Sequence, residues 1–500
     1  MAAVHAAQVT PPRTRTCAAA VSQRVDSDGK PARRRRTSGG RGRSGGGGRS
    51  RTPGRMGSDW PGETQGQAAP GGTSLSCPHF DACSGCSLEE NLHRPPVREQ
   101  ADEFFATRVE AGDFSVRLGP PAGWRCRARL AVRPAEGGGL VVGLYRRGTH
   151  KVVEIPQCVV HHPRINQAVQ LVAKAARELG TEAYDEVGGG GQLRYLQLTA
   201  AARGGDAQLP RAQDDPLAAV QVVLVWNCTE EEFDAGQGGG RELRALASRV
   251  WQGGAAAGRR PPLVHSVWAN FQAARGNAIL GRQWRRLQGP EHLWQAFAGA
   301  GVCFSPGSFA QVNFDMMERC LQAMLPWVPP GSAVAEFHAG VGCIGLAVAA
   351  QRAPARVTAV EVNPTVLDPY LVARQRLLAD LQARGEAPPS LELRVMPAQS
   401  KPLESLAGAD VVIMDPPRKG VEPELMSALQ ATEQHNVHTI IYLSCGFAAF
   451  MRDFDELVGC GRWRAVHSEA FIFFPGADHI ETLAVFQRAE GHQAEQVAPL

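Results

Sequence analysis

Five hundred residues allow two or three domains, and 43% hydrophobic with 20% charged residues describes a chain with a real core. No apolar run reaches the roughly 18 residues of a spanning helix, which argues against an integral membrane protein, and twelve cysteines are too sparse for a disulfide scaffold. The net charge of +4 is uneven: residues 1–75 hold twelve Arg and one Lys against three Asp and one Glu, a charge of +9, which leaves −5 for the other 425 residues.

The leader, residues 1–75, is rich in Ala, Arg, Ser, Thr, Gly and Pro, with an arginine run at 33–36 and a glycine run at 45–48. Such a segment cannot bury enough apolar surface to offset chain entropy and is expected to be disordered. Arg-rich, Ser-rich and acid-poor composition describes an organelle transit peptide, plastid (chloroplast) or mitochondrial. A nuclear-import patch at 33–36 or an RNA-binding tail, with a nuclear or cytosolic protein, are the other readings. Only this low-complexity leader precedes Cys77, so no further folded RNA-binding domain is expected there.

Composition changes sharply after Ser76. Cys77, Cys83 and Cys86 come first, then a helical stretch near 97–110. Alternating segments at 125–132, 140–145, 151–155, 193–199 and 220–226 predict a β-rich region, with loops at the glycine-rich breaks 188–191, 236–240 and 253–258. From about Pro306 short buried-type strands (333–337, 356–360, 391–395, 410–414, 439–443) alternate with helices such as 366–383. Asn363 and Pro364 suit cap positions there, while Pro369 could move the start to Asp368. This is the layout of an open parallel sheet covered by helices on both faces. The chain divides into the leader, a cysteine segment 76–118, a β-rich domain 119–300, an α/β domain 301–490 and a tail 491–500.

Three places in the α/β domain carry chemistry. The turn from Glu336 to Gly345, with Gly340 and Gly342, follows a strand and opens a helix, and Glu361 ends the next strand, placed to accept hydrogen bonds from a ribose. Together they predict an adenosine-containing cofactor. Asp415-Pro416-Pro417-Arg418-Lys419-Gly420 leaves another strand rigidly at its carboxyl end. Amino-group methyltransferases place an aromatic where Arg418 stands, which counts against amino methylation. Cys445 ends a third strand and is a candidate nucleophile; alone it would read as a small buried residue. His479 and Glu481, 34 and 36 positions downstream, are acid and base candidates able to reach it across adjacent strands.

Four thiolates, Cys77, Cys83, Cys86 and Cys158, can hold either a zinc ion or a [4Fe–4S] cluster; spacing does not separate the two. Arg125, Arg127 and Arg129, spaced by two on one strand face, with Arg146, Arg147, His150 and Lys151, are candidate RNA contacts.

Taken in order, Phe309-x-Gln311-x-Asn313, the glycine turn, Glu361, D-P-P-R-x-G at 415–420, Y-x-S-C ending at Cys445 with Arg452-Asp453, and F-P-x-x-x-H-I-E at 474–481 resemble the RNA uracil-5-methyltransferase family. The similarity spans about residues 77–486. It implies a class I, Rossmann-like methyltransferase domain that uses S-adenosylmethionine to make 5-methyluridine in transfer or ribosomal RNA. By the same resemblance Cys445 is the nucleophile, Glu481 the proton acceptor, and Gln311, His338, Gly340, Gly342, Glu361 and Asp415 bind the cofactor. The four cysteines would hold the [4Fe–4S] cluster of the iron–sulfur subset. RNA is the expected partner, with no membrane and no obligate protein partner.

Two departures stand out. The family has Asp-Leu-Tyr-Cys-Gly where this chain has Glu336-Phe337-His338-Ala339-Gly340, and Asn-Pro where it has Gly446-Phe447. A catalytically silent iron–sulfur RNA-binding or assembly protein and an RNA cytosine-5-methyltransferase are the competing readings; the His-x-Glu tail argues against the latter.

Overall fold

The computed structural model describes residues 73–109, 114–201, 218–255 and 262–489. Residues 1–72 of the leader, and the tail, lie outside the described residues.

Two sheets organise the described chain. The smaller has seven strands: β2 (Arg127–Pro134), β3 (Leu140–Tyr145), β4 (Val152–Glu154), β5 (Leu193–Ala201), β6 (Ala219–Trp226), β7 (Val264–Phe271) and β8 (Gln283–Gln288), in the order β4-β3-β2-β5-β6-β7-β8. Only β6 and β7 are parallel, because the helix Gly240–Ala255 crosses between them. That helix and Pro163–Glu178 cover one face. Ile165, Val172, Leu243 and Val250 pack there on Leu130, Leu196, Val222 and Leu224.

Gly253 and Gly254 belong to that helix instead of the loop expected at 253–258. The reason is closeness: a Cβ on Gly253 would lie 2.7 Å from Leu171, and one on Gly254 would strike Val264. The glycines let helix, helix and strand meet without a gap, which outweighs their low helix propensity.

The second sheet holds β11 (Ala333–Phe337), β12 (Arg356–Glu361), β13 (Ser390–Val395), β14 (Val411–Met414), β15 (Thr439–Ser444), β16 (Trp463–Ile472) and β17 (Glu481–Arg488). They are joined at one edge by β1 (Phe114–Leu118) from the cysteine segment, in the order β1-β16-β17-β15-β14-β11-β12-β13. The hairpin β9 (Leu293–Phe297) and β10 (Ala300–Phe304) links the two sheets in sequence.

Alternate residues of the buried strands face opposite helix layers. Val334, Ile413, Ile441 and Val485 pack on one side with the helices Phe314–Met324, Cys343–Arg352 and Leu367–Ala383. Ala335, Val412, Ile440 and Phe486 pack on the other with Pro96–Phe105, Pro423–Gln430 and Phe447–Gly459. The expected α/β class is therefore what the chain adopts.

The sheet is not purely parallel. β17 runs antiparallel to both neighbours, because it returns directly from β16 and inserts between β16 and β15. Asn363 accepts from Thr365 N at 3.1 Å and Pro364 opens a short 3-10 turn that feeds the helix Leu367–Ala383. Pro369 sits in that helix's first turn, where its missing N–H costs nothing.

Candidate active site

The sheet order reverses between β11 and β14, and in open α/β sheets ligands bind beyond the carboxyl ends of the strands at such a switch. His338 follows β11, Glu361 ends β12, Asp415 follows β14 and Cys445 follows β15. The reversed direction of β17 brings its first residue to the same edge. Ser444 is paired with Thr482, so Cys445 and Glu481 stand side by side at the rim.

Gln311, His338, Gly340, Glu361, Asp415, Cys445 and Glu481 all line one cavity of about 710 Å³. Gly342 is not among its walls. It caps the helix Cys343–Arg352 in a left-handed conformation (φ 77°), where a Cβ would lie 2.6 Å from the Tyr370 ring. Sequence reasoning assigned no role to several other walls: Phe309 (63% exposed), Val362, Met396, Arg418 and Glu422. For all but Glu422, which precedes the helix Pro423–Gln430, the signal was position just beyond a strand end or within a motif already singled out.

Glu361 accepts from Gly340 N at 2.8 Å and Asn363 N at 2.7 Å, tying the glycine turn to the tip of β12. Glu336 is buried beneath the turn, accepts from Gly345 N at 3.1 Å, and is pushed up to about 8 by burial. His338 takes a left-handed φ of 59° and its Nε2 lies 2.9 Å from Glu422 Oε2. That hydrogen bond holds Glu422 down to about 2.

The end of the cavity beside Cys445 is lined by buried titratable groups. Burial pushes the Asp415 carboxyl up to about 7. It raises Glu481 well above the usual carboxylate range, with Asp415 adding to the effect and Arg418 opposing it. Glu481 Oε2 and His338 Nδ1 are buried with no hydrogen-bond partner among the described residues. Such orphaned polar atoms lining a large cavity are placed to meet a ligand. The Cys445 thiol is raised to about 11, first by burial, then by Glu481 and Asp415, with Arg418 pulling the other way. Because the thiol form is favoured, alkylation of Cys445 by iodoacetamide is expected to keep accelerating from pH 7 through 9 toward about 11. A plateau near the ordinary value of 9 would show that the free site does not disfavour the thiolate.

The loop bearing Arg418 is clamped from behind. Asp453, buried on the helix Phe447–Gly459, accepts from Tyr442 Oη and from Val421 N, both at 2.8 Å, and pairs with Arg452. Gly446 accounts for one departure from the family pattern. A Cβ there would lie 2.5 Å from the Arg418 carbonyl oxygen, so the chain after Cys445 packs directly on the Arg418 backbone. Gly446→Ala is therefore expected to force the two backbones apart, lowering kcat by about tenfold to a hundredfold and the thermal midpoint as well. Paired turnover and melting measurements check this; unchanged kcat would mean the contact does not set the thiol's position.

The cysteines Cys77, Cys83, Cys86 and Cys158 line a separate cavity of about 230 Å³. Burial, followed by the neighbouring Cys158 and Cys77, raises Cys86 to about 11. Among the described residues no three His, Cys, Asp or Glu side chains are placed to hold a metal ion. The four thiols thus share a space without forming a closed ligand shell.

The arginine face expected to contact RNA divides. Arg125 precedes β2, stacks on Trp124 at 4.7 Å and lines the cysteine cavity. Arg127 is buried and donates to Ser308 O at 2.7 Å and Pro306 O at 2.8 Å, so it is no RNA contact. It fixes the loop that carries Phe309 and Gln311. Arg129 is exposed and donates to Gln197 Oε1 at 2.8 Å. Arg147 braces the cysteine segment through the carbonyls of Phe80 and Cys86, at 3.1 and 2.6 Å.

No family model matches the chain. It is 34% identical over 420 residues to an uncharacterized RNA methyltransferase of Protochlamydia amoebophila, covering 83% of this chain and 98% of that one. It is 26% identical over 437 residues to another from Halalkalibacterium halodurans, covering 84% and 85%. Among solved structures it is similar to the Pyrococcus abyssi tRNA (uracil-54, C5)-methyltransferase in complex with S-adenosyl-L-homocysteine, with a TM-score of 0.59 and 19% identity over 81% of this chain and 86% of that one. That likeness supports the Rossmann-like methyltransferase fold read from the sheet order. With a curated relative matched at this identity along nearly its whole length, the chain belongs to the RNA methyltransferases.

Proposed function

We propose that the protein methylates C5 of a uridine in RNA, using S-adenosylmethionine and a covalent bond between Cys445 and C6 of the base. The observation that carries this is the strand register that sets Cys445 beside Glu481 in the cavity lined by Gln311, Glu361 and Asp415. The walls fit the cofactor. Glu361 suits the ribose, Val362 and Met396 offer apolar surface to the adenine, and Gln311 and Asp415 offer polar partners between the two ends. Held there, the cofactor supplies an electrophilic methyl group.

The chain's own residues supply the rest. C5 of uracil is a weak nucleophile. Addition of the Cys445 thiolate to C6 breaks the C5–C6 double bond and leaves its electron pair at C5, shared with the neighbouring carbonyl. C5 then takes the methyl carbon, whose bond to the donor's sulfonium sulfur breaks and leaves S-adenosylhomocysteine. Glu481 takes the C5 proton, the C5–C6 double bond re-forms, and the C6–sulfur bond breaks to return the thiolate. Arg418, the cation that lowers both the Cys445 and the Glu481 pKa, favours the charged forms these steps need. The cavity sits past the strand ends, so the target base leaves its stack to enter it.

We also propose that Cys77, Cys83, Cys86 and Cys158 hold a [4Fe–4S] cluster. Their shared cavity and the Gly85 N–H donated to Cys83 Sγ at 3.3 Å support this, since cluster sulfurs are tuned by such bonds. Iron and sulfide assays with visible absorption on anaerobically purified protein test it; zinc without iron would overturn it.

The reaction is tested by incubating the full chain with methyl-labelled S-adenosylmethionine and unmodified transfer and ribosomal RNA, then analysing nucleosides. Label in 5-methyluridine supports the reading. Label in 5-methylcytidine, or bound RNA and cofactor with no product, would overturn it.

A further inference from the structure

The loop 473–480 between β16 and β17 carries His479 and leads into Glu481, and the cysteine segment grips it from outside the sheet. Ser87 N and Leu88 N both donate to Gly476 O, at 2.7 and 3.0 Å. Asp478 N donates to Ser87 Oγ at 3.3 Å. Val97 N, in the first turn of the helix Pro96–Phe105, donates to Asp478 Oδ1 at 2.8 Å. Gly476 has a φ of 99°, and a Cβ there would lie 2.8 Å from Leu75 and 3.3 Å from Cys86 Sγ. From the other end of the loop, His479 Nε2 donates to Cys445 O at 2.8 Å.

None of these bonds is needed to pair the strands. β16 and β17 already meet from Phe471 and Glu481 inward. The loop could bow outward with the sheet intact, and it is held instead by Ser87 and Leu88, which follow directly on Cys86 of the cysteine cavity, and by Val97. Cys86 lies at that cavity's wall and within one side chain of Gly476. We propose that Gly476 and the 86–88 segment are positioning residues: they set the loop so that His479 orients the backbone of Cys445 and Glu481 faces the reacting carbon. The cysteine cavity thereby controls the rate of methyl transfer and not the affinity for RNA or cofactor. The catalytic half of this proposal rests on the uracil-C5 reading; the mechanical half does not.

The test uses the full chain with Gly476→Ala, which breaks the close approach, and Ser87→Ala, which removes one bond and leaves all four cysteines. Amide hydrogen exchange at 475–481, without RNA or donor, is read beside kcat and KM for RNA. Gly476→Ala is expected to speed exchange in the loop about tenfold and to lower kcat at least about tenfold, with KM for RNA within about twofold and β11 and β12 exchange unchanged. Ser87→Ala is expected to move the same readouts in the same direction by less. Unchanged loop exchange in both variants would overturn the proposal. So would a loss spread equally over kcat, KM and the exchange of β11 and β12, which marks general destabilisation. If the wild-type chain forms no 5-methyluridine while the loop still responds, the reaction reading fails and the mechanical link stands. If methylation proceeds and the loop does not respond, the link alone fails.

Discussion

Cys445→Ala is expected to reduce methyl transfer by at least about 10⁴-fold, since a nucleophile that forms a covalent bond has no substitute in the site. Cofactor affinity should stay near wild type, because the residues proposed to hold it are anchored elsewhere: Glu361 on the glycine turn, Gln311 on the loop that Arg127 fixes. The measurement is single-turnover transfer of labelled methyl to RNA beside calorimetric binding of S-adenosylhomocysteine. Residual turnover within about tenfold of wild type would remove Cys445 from the mechanism. Half-burial near Arg418 and Glu481 distinguishes this thiol from the buried Cys320, which burial raises well above the usual thiol range.

Glu481→Gln should fail differently. The amide keeps the shape and hydrogen-bonding reach of the carboxyl but cannot take a proton. Addition and methylation can still occur, while loss of the C5 proton stalls. Turnover is expected to fall about 10³-fold, and a protein–RNA adduct should accumulate on denaturing gels, stable until the RNA is digested. Loss of turnover without adduct would mean that Glu481 acts before the methyl transfer. The sign of the pH effect follows from burial. Burial holds the Glu481 pKa well above the usual carboxylate range, so the deprotonated form grows as pH rises past that range, and wild-type turnover should climb with it. In Glu481→Gln that rise should flatten at the proton-removal step.

Much of this was legible before any coordinates. Runs of β-branched residues such as Val411–Met414 and Thr439–Ser444 can only be central strands, and acidic or thiol residues directly after them fall at the crevice. The family resemblance added the order of motifs. What sequence could not carry was direction and depth. The mixed pattern of Trp463–Ile472 hides a strand, because His467 and Glu469 sit in it as a polar pair bonded at 3.3 Å. Without that strand the reversal of β17 is invisible, and with it the reason Glu481 meets Cys445. Spacing placed Arg127 on a surface; depth placed it under Pro306 and Ser308. Gly342, expected to bind the cofactor, also leaves room for the Tyr370 ring. For Arg127 and Gly342 the partner concerned lies more than twenty residues away in the chain, beyond the reach of local pattern.

The inserted β17 also bears on how the protein comes into being. It follows every other strand among the described residues, yet it lies near the middle of the sheet between β16 and β15. While a ribosome is still delivering it, both neighbours present open edges, the kind that recruit foreign strands. Docking β17 closes those edges and delivers Glu481 in the same event. A chain without β17 thus exposes two strand edges and lacks the carboxylate proposed as proton acceptor. Agents that shield strand edges late in translation should therefore raise the yield of competent enzyme more than agents acting on the finished fold.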